Sequence, residues 1–121
     1  MAKHIETGRT GEKIAEEYLR EKGYEILETN WRFSKAEIDI IARDKDEMLV
    51  FIEVKTRSYD YFGAPEAFVT PKKESLLFDA ANRYMEMINH DWEIRFDVIG
   101  IILKDIGNYQ LKHTEDAFYP R

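Results

Sequence analysis

Hydrophobic residues early in the chain recur at two different periods. Between Thr10 and Lys22, the residues Ile14, Ala15, Tyr18 and Leu19 fall on one side at helical spacing, and Gly23 follows as a stop signal. The spacing predicts a first helix over those residues, with Glu12 at the margin of its apolar face. The period then shortens. Tyr24–Phe33 predicts a strand and Glu37–Arg43 a second. The charged turn Asp44-Lys45-Asp46-Glu47 then leads into a long third strand, Met48–Arg57. The stretch SYDYFGAPEAFV carries Gly63 and Pro65 and reads as a loop. Thr70-Pro71 sets an N-cap followed by proline at the first helical position. The second helix it opens places Leu77, Ala80, Ala81, Tyr84 and Ile88 on one stripe and ends near Asn89. Ile94–Leu103 predicts a branched, central strand, and Tyr109–His113 a short last one. The tail TEDAFYPR either folds back through Phe118 or frays. This order, αβββαββ, predicts an α/β fold with a mixed β-sheet flanked by helices, as a single domain over residues 1–121.

The third strand, MLVFIEVKTR, raises the chemical question. Leu49, Phe51, Glu53 and Lys55 share one face, and Val50, Ile52 and Val54 share the other. Both faces are apolar up to Phe51, so the strand reads as buried on both sides, and charge arrives only at its C-terminal end. Alone, E-x-K carries little, because an exposed Glu–Lys pair along a strand produces the same tripeptide. The neighbouring strand adds weight. In EIDIIA, Asp39 shares a face with Ile41, and Ile38 and Ile40 take the other face. If Lys45, Asp46 and Glu47 form the hairpin loop, Asp44 pairs with Met48 and Asp39 falls opposite Glu53. A two-residue loop would separate them onto opposite faces. In the first register the two Cβ atoms stand roughly 5 Å apart.

Two carboxylates that close repel unless a proton or a cation neutralises them. Oxygen ligands without His or Cys suit Mg²⁺ or Mn²⁺ better than zinc. Asp39 and Glu53 are the candidate metal ligands, with Glu12 an outer carboxylate if the first helix packs over this face. Lys55 would hold a water or phosphate oxygen beside the metal. This set suits phosphodiester hydrolysis, in which the metal polarises phosphate and activates water while lysine offsets the developing charge.

These residues resemble the PD-(D/E)xK nuclease superfamily, whose restriction-endonuclease-like core has the same order of elements. Asp39 stands at its aspartate, Glu53-Val54-Lys55 at its E-x-K, and Glu12 at the acid of the first helix. The chain also resembles the YraN family of small bacterial proteins through GEKIAEEYL, GYEILETNWR, EIDIIARD, LVFIEVKTR, FGAPEAFVTPKK, RFDVIGI and the terminal H-x-x-x-A-F of His113 to Phe118. One departure is Ala36, where that family usually has glycine. The resemblance implies nucleic-acid binding with DNA favoured over RNA, nuclease-like activity on branched or single-stranded DNA, and, by analogy with archaeal Holliday-junction resolvases, a homodimer. The alternative is a non-catalytic nucleic-acid-binding or adaptor module that keeps the fold.

Composition trims these options. The chain has 121 residues, 44% hydrophobic and 35% charged, with a formal charge of −6 and no cysteine. Thiolate zinc sites, disulfides and cysteine nucleophiles are excluded. The acidic balance argues against a general nucleic-acid coat protein but leaves room for a local basic rim. Arg57, Lys72, Lys73 and Arg32, with Lys35 and Arg9, are the candidates for that rim. Lysines in the first turn oppose the helix dipole, which a bound anion would rationalise. Asp97 is either a further acid at the site or a partner for Arg95. His4, His90 and His113 show no ligand spacing, and Tyr59, Tyr61 and Phe62 either stack on bases or cover the core. No apolar run suits a membrane span or a signal peptide, and a cytoplasmic location is the expectation.

Overall fold

In a computed structural model, residues 2–58, 70–105 and 107–118 are described, with side chains from residue 7 onward. The elements are α1 (Ala2–Glu21), β1 (Glu25–Phe33), β2 (Ala36–Arg43), β3 (Leu49–Ser58), α2 (Pro71–Met87), β4 (Ile94–Asp105) and β5 (Asn108–Thr114). They build one five-stranded sheet in the order β1-β2-β3-β4-β5. The β3–β4 pair, joined through α2, is parallel and the others are antiparallel. The expected α/β architecture and the expected order of elements are both found.

Each helix covers one face of the sheet. Ile14, Ala15 and Leu19 of α1 pack on Ile40, Val50, Ile52, Val54, Ile99 and Ile101. Leu77, Ala80, Ala81 and Tyr84 of α2 pack on Ile41, Leu49, Phe51, Phe96 and Val98. Burying one such branched side chain contributes about 1.5–3 kcal/mol, and the sandwiched β3 supplies both layers. The alternation of its apolar residues is therefore the backbone of the fold.

The first helix begins earlier than its periodicity predicts, at Ala2 rather than Thr10. Gly11 lies inside α1, where a Cβ would collide with the Thr56 side chain. It costs roughly 1 kcal/mol of helix propensity and lets α1 approach β3 at the level of Glu12. Gly23 (φ 93°) closes the helix, with Tyr24 N–H donating to Leu19 O at 2.9 Å and Gly23 N–H to Arg20 O at 3.0 Å.

The β2–β3 hairpin adopts the three-residue loop. Asp44 N–H donates to Met48 O at 3.0 Å, the Asp44 carboxylate accepts from Asp46 and Met48 N–H, and Glu47 takes a left-handed φ of 65°. The register runs Arg43↔Leu49, Ala42↔Val50, Ile41↔Phe51 and Ile40↔Ile52. The tail does fold back. Ala117 N–H donates to Phe96 O at 2.8 Å, and Phe118 stacks on Phe96 with ring centroids 5.3 Å apart.

One expectation about β2 fails. Ile38 and Ile40 do not share a face: Ile38 joins the α2 layer with Ile41, and Ile40 joins the α1 layer. Opposite Asp39, Asn30 of β1 adopts a left-handed φ of 50°. The ladder there passes from Thr29↔Ile40 to Trp31↔Ile38. The local twist carries Trp31 and Ile38 together to the α2 side, where Trp31 meets Tyr84 edge-on at 5.2 Å. Strict alternation therefore breaks at the residue of chemical interest.

Candidate active site

Asp39 and Glu53 sit where β2 and β3 part. The ladder reaches Ile40↔Ile52, and one step further the Asp39 carboxylate, rather than a main-chain carbonyl, accepts the Val54 N–H at 2.7 Å. Both acids are buried, Asp39 with 8% and Glu53 with 5% of its surface exposed. Burial raises Asp39 most, and the Glu53 charge is the strongest of those acting on it. Together they push its pKa from an ordinary 3.8 up to about 8, against the opposing bond from Val54.

Two lysines answer Glu53. Lys55, on the same strand face as expected, brings Nζ to 3.5 Å from Glu53 Oε1. Lys73 Nζ donates to that same oxygen at 2.7 Å. The α2 cap positions it: Thr70 Oγ1 accepts the Lys73 N–H at 3.2 Å and Thr70 O accepts the Glu74 N–H at 2.8 Å, with Pro71 at the helix start. This sets the first turn over the end of β3. Burial lowers the Lys55 pKa, and the neighbouring Lys73 lowers it further. Burial is the largest influence on Lys73 and would lower its pKa, but the bond to Glu53, the contact with Lys55 and the charges of Glu53 and Asp39 together outweigh it, so its pKa is raised. Lys73 thus keeps its proton firmly, and Lys55 releases one more readily. The sequence suggests Lys73 for a basic rim; the structure pairs it with Glu53.

Glu12 stands on α1 nearby. Its carboxylate accepts from Asn30 Nδ2 at 3.2 Å. Burial raises its pKa first, then the charges of Glu37, Glu16 and Glu53. Its own charge reaches Asp39. Among the described residues, no three His, Asp or Glu side chains converge as a ready-made metal cage.

The donor chemistry nevertheless fits a hard divalent cation. Glu53 Oε2 is buried with no hydrogen-bond partner among the described residues, and Asp39 beside it is driven toward protonation, so one carboxylate oxygen of the pair is left uncommitted. Mg²⁺ commonly takes one or two carboxylates and completes its shell with water and substrate phosphate. Asp39 and Glu53 are the two carboxylates that would hold it, with Glu12 at the outside.

The remaining rim candidates lie around this centre with different commitments. Arg32 is 79% exposed and pairs with Glu37 at 2.8 Å across β1–β2. Arg57 is half-buried and donates to Thr56 O at 2.9 Å. Lys72 is exposed. Tyr59, Tyr61 and Phe62 lie outside the described residues. Ala36 pairs with Phe33, has no left-handed backbone and packs in the α2 layer, so no glycine is required there.

Asp97 is not part of the site. It is fully buried on β4 and accepts from Arg95 Nε and Nη2 at 2.8 and 2.9 Å, and from Asp116 N–H at 3.0 Å. His113 Nε2 lies 2.7 Å away, and its Nδ1 is 2.9 Å from the Tyr18 hydroxyl. The partnership with Arg95 is the correct one of the two alternatives, and His113, which showed no pattern in sequence, completes it.

Residues 11–101 match the profile of the uncharacterised protein family UPF0102. The chain belongs to that family. This is the family the YraN-type motifs pointed to. UPF0102 proteins of Flavobacterium psychrophilum and Christiangramia forsetii are 51% and 50% identical to the chain over 119 residues, covering 98% of both chains in each case. Among solved structures, SfsA of Pyrococcus furiosus in complex with Ca²⁺ aligns over 93% of this chain and 63% of its own, at 17% identity and a TM-score of 0.36. The stretches EIDIIARD and LVFIEVKTR carry the two acids of the fork, while RFDV and the segment from His113 to Asp116 carry the Asp97 network.

Proposed function

We propose that this UPF0102 protein is a divalent-metal-dependent, nuclease-like protein that binds nucleic acid, DNA in preference to RNA, and hydrolyses phosphodiester bonds. The observation that carries the proposal is the pair of buried carboxylates in the β2–β3 fork, with two lysines on one of them. Glu53 Oε2 is buried without a hydrogen-bond partner among the described residues, which supports an open position for a ligand there. Mg²⁺ or Mn²⁺ bound there would polarise a phosphoryl oxygen and lower the pKa of bound water. Asp39 and Glu53 hold the ion, and the Val54 N–H fixes the Asp39 carboxylate. Lys55, the lysine that gives up a proton more easily, orients the attacking water and offsets charge on the phosphate. Lys72, Arg57 and Arg32 supply the basic rim. Branched or single-stranded DNA is the proposed substrate form, a homodimer the proposed assembly and the cytoplasm the proposed location. No helix among the described residues is long and apolar enough to cross a membrane.

Incubating the protein with labelled duplex, single-stranded and four-way-junction DNA, with Mn²⁺ or EDTA, tests this. Metal-dependent cleavage should fall by about a hundredfold or more in Lys55→Ala. The second reading, a nucleic-acid-binding module without turnover, is favoured by the absence of a three-acid cage among the described residues. DNA retardation without cleavage of any form would select it.

A further inference from the structure

We propose that Lys73 is a built-in placeholder for the metal, and that it exchanges Glu53 for the substrate's phosphate when the site is loaded. The inference rests on the metal-site reading above and adds a role for the second helix. Three observations converge on it. Lys73 Nζ takes Glu53 Oε1 at 2.7 Å, a closer approach than the 3.5 Å of Lys55, the lysine of the E-x-K motif. A divalent cation shared with Asp39 needs a Glu53 oxygen and cannot sit beside two ammonium groups without strong repulsion. The Lys73 side chain is also 34% exposed, against 16% for Lys55, so it is the one with solvent to move into.

The cap geometry says where it would go. Thr70 and Pro71 hold the first turn of α2 at the edge of the fork, and Lys73 is tethered there through its main-chain N–H to Thr70 Oγ1. Moving its side chain leaves that turn unchanged. The start of a helix already favours an anion through its exposed N–H groups, so an ammonium released from Glu53 stays within reach of a phosphate oxygen at the same end of the sheet. In the metal-free protein Lys73 thus neutralises the Glu53 carboxylate. In the loaded protein it becomes a substrate contact, which explains a lysine in a helix turn whose dipole opposes it.

The test is Mn²⁺ calorimetry and thermal melting on the wild type, Lys73→Met and Lys73→Arg, without nucleic acid. Lys73→Met removes the competing cation at similar length, and its Mn²⁺ affinity should rise by roughly fivefold, the upper end for a partly exposed ion pair. Its melting temperature should fall in EDTA and recover with Mn²⁺ by more than the wild type gains. Lys73→Arg should restore the weaker binding. DNA retardation with Ca²⁺ present, which reads binding without requiring cleavage, should weaken in Lys73→Met. If wild type and Lys73→Met both bind Mn²⁺ with equal affinity, or the variant binds more weakly, the placeholder role is overturned and the metal site stands. If neither binds while both melt cooperatively, both are overturned.

Discussion

Asp39 and Asp97 are both buried acids on central strands, yet they are treated in opposite ways. Asp97 is enclosed by the Arg95 guanidinium, the Asp116 N–H and the His113 ring. Burial alone would raise its pKa, but these partners reverse the shift and hold it below the ordinary carboxylate range. Asp39 has one main-chain donor and a second carboxylate for a neighbour, so burial and repulsion raise it to about 8. Desolvation acts on both; only the partners differ. A carboxylate that the fold has satisfied is holding the fold together. One that it has left wanting positive charge is available to a ligand. The Asp97 network ties β4 to α1, to the turn before β1, to β5 and to the tail, through Tyr18, Tyr24, His113 and Asp116.

The contrast is broken most forcefully by truncating the satisfied acid. Asp97→Ala strands Arg95 in a buried place and should cost about 3–5 kcal/mol of stability, measured by urea denaturation. A loss as small as that of a surface substitution would show that the network is not structural. Asp39→Asn should do the reverse in metal-free protein. It keeps an oxygen for the Val54 N–H and removes the buried charge, so stability at pH 8 should rise by on the order of 2 kcal/mol.

The sign of the pH dependence follows from the same shift. A carboxyl with a folded pKa near 8 and an ordinary value of 3.8 holds its proton in the folded state after the unfolded chain has lost it. Its contribution is therefore full below about pH 4 and is lost as pH rises toward 8. The wild type should show this declining component in EDTA, and Asp39→Asn should lack it; an identical slope in the two proteins would rule out Asp39 as its source. A smaller effect is expected of His113→Phe, which removes one partner from Asp97 and one from Tyr18 and should cost about 1–2 kcal/mol in the same denaturation experiment. An unchanged midpoint would mean the ring contributes packing only.

Much of the acid fork was legible in the sequence because it depends on local rules. The abrupt change from apolar to charged residues at Glu53 gave the strand face, and the Asp44 to Met48 loop gave the hairpin register found from Arg43↔Leu49 to Ile40↔Ile52. Thr70-Pro71 gave the helix start. What was hidden depends on how elements meet. The reach of Lys73 to Glu53 is set by where α2 crosses the sheet, which residue order does not state. The turn of Ile38 away from the face of Ile40 depends on the left-handed Asn30 of the adjacent strand. The close approach of Gly11 to Thr56 joins positions 45 residues apart in the chain, so no local pattern announces it. The Asp97 network draws partners from five segments, so no spacing within any one of them signals it.

The central claim is that the Asp39–Glu53 fork is a divalent-metal site. Calorimetry of Mn²⁺ binding to the wild type and to Asp39→Asn, in two pH 7 buffers of different ionisation enthalpy, tests it most directly. The account predicts binding with proton release in the wild type, since the ion displaces the proton Asp39 retains at that pH, and none in Asp39→Asn. Equal Mn²⁺ affinity in the two proteins, or no heat beyond dilution in either, would contradict it.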